Sequence, residues 1–194
     1  MTAALSEHAP SVMRPAGVER RLIDRGAIFA GYVGLGMALV IAIAFELIIP
    51  VQPFVFLAAP IAGALIGAYA NVRSERWRPR LRVLANAAYA GLVTSAGLVV
   101  LYVTLRLVFV YADSGALPDR SSLDCSPGPA CVYQRYLAAR GADELAAAGI
   151  TDAASFEAAV LREQAFGALV LVVLTSGSAI LAGAARALRP VPNS

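Results

Sequence analysis

The chain has 194 residues, of which 59% are hydrophobic and only 15% are charged. Soluble domains carry about 25% charged residues, so this composition excludes an ordinary soluble globular protein and indicates a protein that folds in lipid. The net charge of +3 comes from 16 arginines, with no lysine. Their distribution along the chain fits a membrane topology better than a nucleic-acid surface, and we therefore expect no nucleic-acid partner.

Four apolar segments follow one another along the chain. The first comes after residues 1–25, which are polar, end in basic residues and are expected to be a disordered cytoplasmic segment. This first segment is too long for the apolar region of a cleavable signal peptide. Each of the four is long enough to cross a hydrocarbon core of ~30 Å as a helix. The predicted transmembrane helices cover about residues 26–49, 54–72, 83–112 and 164–185.

Arginine placement predicts the orientation, because short cytoplasmic loops carry an excess of basic residues. Eleven arginines flank the apolar segments on one side, whereas residues 113–163 hold four arginines and eight acidic residues. The eleven are Arg14, Arg20, Arg21, Arg25, Arg73, Arg76, Arg78, Arg80, Arg82, Arg186 and Arg189. Both termini, including the tail 186–194, are therefore predicted to be cytoplasmic.

The predicted fold class is an all-α integral membrane protein, a four-transmembrane-helix bundle with N-in/C-in topology. Residues 113–163 form an extracytoplasmic loop subdomain between helices 3 and 4 in this prediction. The frequent use of alanine and arginine is typical of a GC-rich genome. We therefore expect the cell membrane, the inner or plasma membrane of a bacterium, with the lipid bilayer as the first partner.

The extracytoplasmic loop is predicted to be partly helical. Residues 132–140 favour a short helix that Gly141 ends, and residues 143–148 favour one further turn that Gly149 ends.

A longer helix is predicted to follow. Thr151 or Asp152 is a suitable N-cap residue, and the residues after it have helical propensity without a break into the fourth span, over roughly 30 residues. Phe156, Val160 and Leu161 are predicted to form an apolar face on this helix.

The two cysteines, Cys125 and Cys131, both lie in the predicted extracytoplasmic loop, where disulfides persist. The Ser-Pro-Gly-Pro-Ala sequence between them favours a turn, so we expect a structural disulfide that closes a small loop. A redox-active pair, free thiols and a metal site are the alternatives. The only histidine, His8, lies in the N-terminal segment and cannot complete a zinc site with them. No metal and no other cofactor are expected.

Two charged residues, Glu46 and Arg106, lie near the outer ends of predicted spans. Charged residues in a span usually face the other helices and find partners there. Tyr102 and Ser95 share a helical stripe with Arg106, so these four residues are predicted to form an intramembrane polar cluster. A Glu46–Arg106 pair would be a structural clamp or part of a ligand, proton or ion site. The third alternative is that each charge extends separately to the outer interface.

Small residues at a spacing of four predict close helix packing. They are Gly63 and Gly67 in the second span and Ala179 and Gly183 in the fourth. These faces would pack within the chain, or against a second copy or another subunit. Pro60 is predicted to kink the second helix or to mark its first turn.

The topology, with cysteines in the second outer loop, resembles that of the membrane disulfide oxidases that reduce quinones. That family carries a Cys-x-x-Cys pair in its first outer loop, whereas residues 50–53 of this chain contain no cysteine. The large second outer loop is also similar to that of tetraspanins, but their Cys-Cys-Gly motif is absent. We assign neither family.

The chain contains no nucleotide-binding, serine-hydrolase or zinc-protease motif, and the absence of lysine excludes Schiff-base chemistry. These observations favour a non-enzymatic multi-pass membrane protein, an accessory, assembly or interaction subunit that uses its outer loop and small-residue helix faces. Its partner would be a membrane protein or a second copy of the chain. One alternative is a small channel or transporter subunit with a Glu46/Arg106 intramembrane site. The other is an envelope thiol–disulfide redox protein.

Overall fold

The computed structural model describes residues 22–48, 53–72, 79–112 and 125–188. Within these ranges the chain is helical and has no strand. Its helices are α1 (Arg25–Ala42), α2 (Pro53–Val72), α3 (Arg80–Tyr111), α4 (Pro129–Arg140), α5 (Ala142–Ala147) and α6 (Ala153–Ala187), and a π-helical segment, Ile43–Ile48, continues α1. Four of them, α1, α2, α3 and α6, are long and apolar enough to cross a membrane, as the sequence predicts.

Several predicted features lie outside the described residues. They are most of the N-terminal segment (1–21), the turn at 49–52, most of the basic loop (73–78), the first part of the loop subdomain (113–124) and the end of the tail (189–194).

The long helices differ from the prediction in three details. The helix of the first span changes at Ile43 into a π-helical segment, in which each hydrogen bond spans five residues. Helix α3 begins at Arg80, before residue 83, where the predicted span begins. Hydropathy indicates only the part of a helix that contacts lipid, and the helix itself can continue beyond that part. Pro60 lies inside α2, well past its first turn, so the first-turn interpretation is wrong.

The predicted continuous helix before and through the fourth span is confirmed. Helix α6 has 35 residues, and Asp152 is its N-cap. The Asp152 carboxylate accepts a hydrogen bond from the Ser155 backbone N–H at 2.7 Å. The Ser155 hydroxyl accepts one in return from the Asp152 backbone N–H at 3.0 Å, which completes a capping box.

Glycine ends both shorter helices, as predicted. Gly141 follows α4 with φ 87°, and Gly149 follows α5 with φ 77°. Residues with a side chain rarely adopt this left-handed region, so these two glycines allow the chain to turn where it does.

Helix α6 packs against both α2 and α3, and small residues bring the backbones into contact. A Cβ at Gly63 would lie 2.8 Å from the Thr175 carbonyl carbon, and one at Gly67 would lie 2.6 Å from the Ala179 Cα. The partner residue is 112 positions later in both pairs, so α2 and α6 run in the same direction with a fixed register.

Helices α3 and α6 run in opposite directions. A Cβ at Gly91 would lie 2.6 Å from the Ala179 Cβ, and one at Gly183 would lie 2.6 Å from the Ala87 Cβ. A step of four residues back along α3 is therefore matched by a step of four forward along α6.

Helix α1 runs parallel to α3. The Asn86 side chain accepts a hydrogen bond from the Asp24 backbone N–H at 3.1 Å and donates one to the Asp24 carboxylate at 2.7 Å. Further along, the Leu35 side chain contacts Gly97. Both pairs are separated by 62 positions.

These registers define one layer shared by the four long helices. The 20 residues of α2 lie level with residues 24–43 of α1, 86–105 of α3 and 165–184 of α6. Twenty helical residues rise about 30 Å, which is the thickness of a bilayer's hydrocarbon core. The only charged residues in the layer are Asp24 and Arg25, at the edge where α1 begins, and we call the rest of it the charge-free layer. Since the four helices are long and apolar enough to cross a membrane, this layer has the thickness expected of the part within hydrocarbon.

Gly67 provides a test of this packing. The substitution Gly67→Ala adds a methyl group against the backbone of α6, so we expect a loss of about 1–3 kcal/mol in stability. The matched control is Gly177→Ala, because no atom of another helix lies within 4 Å of the added Cβ and alanine favours a helix by up to ~1 kcal/mol. Thermal unfolding of the detergent-purified protein measures both, and equal melting temperatures would contradict the register.

Candidate functional site

Ser95 and Tyr102 both face α6, but at different depths. The Ser95 hydroxyl donates to the Leu92 carbonyl at 2.9 Å and lies 3.3 Å from the Ser176 hydroxyl. Tyr102 is seven positions further along α3, about 10 Å away. The structure therefore places Ser95 in the middle of the charge-free layer and Tyr102 near its edge.

Tyr102 fills the space that a glycine leaves on α6. Its side chain is only 4% exposed, and its ring packs edge-to-face on Phe56 with centroids 5.7 Å apart. A Cβ at Gly167 would lie 2.6 Å from the Tyr102 hydroxyl oxygen. Tyr102 thus connects α2, α3 and α6 one turn before Arg106.

Arg106 lies immediately beyond the charge-free layer and not within it. The sequence suggests a deeper position because the apolar segment continues to residue 112, but the register with α2 ends the shared layer at residue 105. Arg106 is half-buried, and its Nε atom is buried without a hydrogen-bond partner.

Gln164 is a polar residue that sequence analysis misses. Arg106 lies 15 residues after Gly91, and Gln164 lies 15 residues before Ala179, the partner of Gly91, so the two are level across the α3–α6 interface. Gln164 is 3% exposed, and its Oε1 atom has no hydrogen-bond partner. The sequence did contain a signal for the burial of Gln164. Gln164 lies at the spacing of one helix face with three other residues, Phe156, Val160 and Gly167.

Glu46 belongs to the π-helical segment, and the α1–α3 offset places its backbone level with Val108, half a turn beyond Arg106. Its side chain lies outside the described residues. The Glu46–Arg106 pair therefore stays a prediction.

The predicted small-residue faces all contact helices of the same chain. Gly63 and Gly67 meet the backbone of α6, Ala179 meets Gly67 and Gly91, and Gly183 meets Ala87. These contacts account for the spacing of four without a second copy or another subunit.

Polar residues at the opposite edge of the layer connect the helix ends, and sequence analysis misses these too. Asn86 is fully buried and makes its two bonds to Asp24. The Asn71 amide donates to the Gly67 carbonyl at 3.2 Å and to the Val83 carbonyl at 3.0 Å. The sequence signal for these hydrogen bonds was the position of the two asparagines at the ends of apolar segments, because buried amide groups need hydrogen-bond partners.

Helix α4 packs on the parts of α3 and α6 that extend beyond the layer, and α5 packs on α4. We call this assembly of α4, α5, residues 106–111 and residues 153–164 the α4–α5 unit. It has a separate hydrophobic cluster of buried residues, contributed by three helices: Val110, Val132, Phe156 and Val160.

Aromatic residues of α4 complete this cluster. The rings of Tyr133 and Tyr136 lie 6.0 and 5.1 Å from that of Phe156, and the Tyr133 hydroxyl donates to the Thr151 carbonyl at 3.0 Å. The prediction that Phe156 and Val160 share an apolar face is confirmed. Leu161 is not part of it, because it is 46% exposed, and its position next to Val160 rotates it about 100° away.

Cys125 and Cys131 form a disulfide with Cα atoms 5.6 Å apart, within the usual range for such bonds. Cys131 is buried in the first turn of α4, whereas Cys125 is partly exposed. The bond therefore ties the beginning of α4 to the chain that leads into it.

Chemically reactive groups are sparse in the described part of the chain. No group of three or more histidine, cysteine, aspartate and glutamate side chains is placed to hold a metal ion there. Arg140 and Glu144 form an exposed ion pair at 3.3 Å, and exposed pairs of this kind contribute little to stability.

Comparisons of the chain with protein-family models, with curated proteins and with solved structures gave no match.

The disulfide predicts a response to reduction. Reducing the disulfide gives the unfolded chain more conformational freedom, which lowers the free energy of unfolding by about 2 kcal/mol for so small a loop. A reductant should therefore lower the melting temperature of the α4–α5 unit. Thermal unfolding followed by tyrosine absorbance, with and without dithiothreitol, measures this. The double variant Cys125→Ser with Cys131→Ser should melt at the reduced temperature in both conditions. If reductant also shifts that variant, the disulfide is not the cause.

Asp152 predicts a response to acid. The hydrogen bond from the Ser155 backbone N–H, with a further one from the Ser155 side chain, lowers the pKa of the Asp152 carboxyl. Since the pKa is lower in the folded state, the stabilisation is present above the unfolded value of 3.8 and is lost as the pH falls through the folded value. The protection factors of the amides at the start of α6, which correct for the pH dependence of intrinsic hydrogen exchange, should therefore fall on acidification.

The control for this experiment is Asp152→Asn, which keeps an accepting oxygen at the N-cap but cannot titrate. Its protection factors at the start of α6 should lack the acid-dependent fall. An equal fall in both proteins would assign the effect to another group.

Proposed function

We propose that the protein is a non-enzymatic multi-pass membrane protein, an accessory or assembly subunit that binds a partner through the α4–α5 unit. The observation that supports this most is the separate buried cluster of Val110, Val132, Phe156 and Val160. A loop that only connects two spans needs no core. A unit with its own hydrophobic core and a disulfide presents a fixed surface, which reduces the conformational entropy lost on binding.

The distribution of charge supports an extracytoplasmic position for this unit. Arginines lie at the opposite end of the long helices, where α1 and α3 begin and α6 ends: Arg25, Arg80, Arg82 and Arg186. Basic residues concentrate on the cytoplasmic side of membrane proteins. The α4–α5 unit would then face the oxidising compartment, which agrees with its disulfide.

The surface of the unit is polar with small residues between the charges. Ala138, Arg140, Asp143 and Glu144 are all exposed on α4 and α5. A surface of mixed sign with gaps between its long side chains suits the extracytoplasmic part of another membrane protein, through shape and matched charges. The small-residue helix faces contribute less to this proposal than the sequence suggests, because the chain uses them internally.

The channel or transporter alternative receives less support. Gly63, Gly67 and Gly91 bring α2 and α3 into contact with α6 in the middle of the charge-free layer. These contacts leave no space for a path between those helices. Conduction would then require a path between copies of the chain.

The test is affinity purification of the tagged full-length protein from its own membrane in mild detergent, followed by mass spectrometry. We expect a stoichiometric partner that Ala138→Arg removes, because the new side chain would project from the exposed face of α4. The matched control is Ala185→Arg, also exposed but at the arginine-rich end, and it should keep the partner.

Two results would contradict the proposal. In the first, the protein elutes alone or as a homo-oligomer, which would favour the channel alternative. In the second, the partner is lost with Ala185→Arg but kept with Ala138→Arg, which would place the contact at the other end of the molecule.

A further inference from the structure

The α3–α6 interface contains two buried polar atoms without hydrogen-bond partners, Nε of Arg106 and Oε1 of Gln164. Tyr102 and Val110, one turn to either side of Arg106, are buried against α6. Val160 and Gly167 flank Gln164 in the same way and face α3. The two polar residues are therefore on facing sides of one interface, at one level.

Both residues have an unused hydrogen-bonding atom. The Nε–H of Arg106 can only donate and the Oε1 of Gln164 can only accept, and neither has a partner among the described residues. Gln164 is 3% exposed, so bulk water does not solvate its oxygen. Buried polar atoms without partners are unfavourable, which makes this pair of atoms a site for a group that accepts from one and donates to the other.

The depth of the pair indicates the kind of group. Arg106 and Gln164 both lie one residue beyond the charge-free layer, where the hydrocarbon core ends and headgroups begin. Arg106 is half-buried, so part of its side chain is accessible while Nε is covered. No carboxylate of the described residues forms an ion pair with it. A lipid phosphate is the abundant anion at this depth, and arginine binds phosphate well.

We propose that Arg106 and Gln164 bind the headgroup of a phospholipid that carries a hydrogen-bond donor. The lipid phosphate accepts hydrogen bonds from the Arg106 guanidinium, and an ammonium or hydroxyl group of the headgroup donates to Gln164 Oε1. Ethanolamine and glycerol headgroups provide such a donor, whereas choline does not. The proposal rests on the membrane position of the layer and is independent of whether the α4–α5 unit binds a partner protein.

The test measures which lipids remain bound. The full-length protein is reconstituted into bilayers with equal amounts of phosphatidylethanolamine, phosphatidylglycerol and phosphatidylcholine, extracted in mild detergent and analysed for retained lipid by native mass spectrometry. One charge-assisted hydrogen bond corresponds to about tenfold in affinity. We therefore expect about tenfold enrichment of a donor-bearing lipid over phosphatidylcholine, and the enriched headgroup identifies the source.

Two variants alter the site with little change in volume. Arg106→Lys keeps the positive charge but removes the guanidinium, and Gln164→Met removes the accepting oxygen. Gln164→Met should bring the enrichment close to one, whereas Arg106→Lys should lower the amount of every phospholipid retained, because all three carry the phosphate. The matched controls, Arg162→Lys and Gln134→Met, change exposed residues of the same unit and should keep the enrichment.

Three outcomes would overturn the proposal. Phosphatidylcholine retained as well as the other lipids would mean that no headgroup donor is recognised. Enrichment that persists in Gln164→Met, or lipid retention that is unchanged in Arg106→Lys, would place the lipid elsewhere. Enrichment that appears only in Glu46→Gln would mean that Glu46 is the native partner of Arg106 and excludes lipid from the site.

Discussion

The contact of α6 with α2 and α3 through glycine and alanine determines the rest of the structure. At Gly63, Gly67 and Gly91 the helices approach so closely that an added methyl group would overlap a neighbour. Lipid provides little hydrophobic driving force between helices, so such contacts depend on dispersion and close fit. Each contact can form in only one register, and that register sets the depth of every residue along the four long helices.

The shared layer explains why the polar residues lie where they do. Helices α3 and α6 are longer than the ~30 Å that lipid requires, and both extend beyond the same edge of the layer. That extension carries Arg106 and Gln164 at its base and Phe156 and Val160 above them. The α4–α5 unit is therefore built on helices that the membrane-spanning part already holds in place. At the other edge, Asn86 and Asn71 fix the helix ends by hydrogen bonds.

Much of the fold follows from local sequence signals. The four apolar segments, the glycines at 141 and 149 and the Asp152 cap each depend on nearby residues only, so the chain itself reveals them. The depth of a residue in the layer and its contacts with other helices could not be predicted in this way. The position of Arg106 relative to lipid depends on the offset between α3 and α2, and that offset arises from contacts with Ala179. Gln164 looked unimportant for the same reason, because its burial is a property of the interface.

We propose that α3 leaves the hydrocarbon layer close to Arg106, on the extracytoplasmic side. Single cysteines at the exposed positions Val100, Thr104 and Val108, in a chain with Cys125→Ser and Cys131→Ser, would test it most directly. Intact cells are treated with a membrane-impermeant maleimide. We expect rapid labelling of Val108→Cys and none of Val100→Cys, with Thr104→Cys at the boundary. Labelling of Val100→Cys, or labelling of Val108→Cys only after the cells are opened, would contradict it.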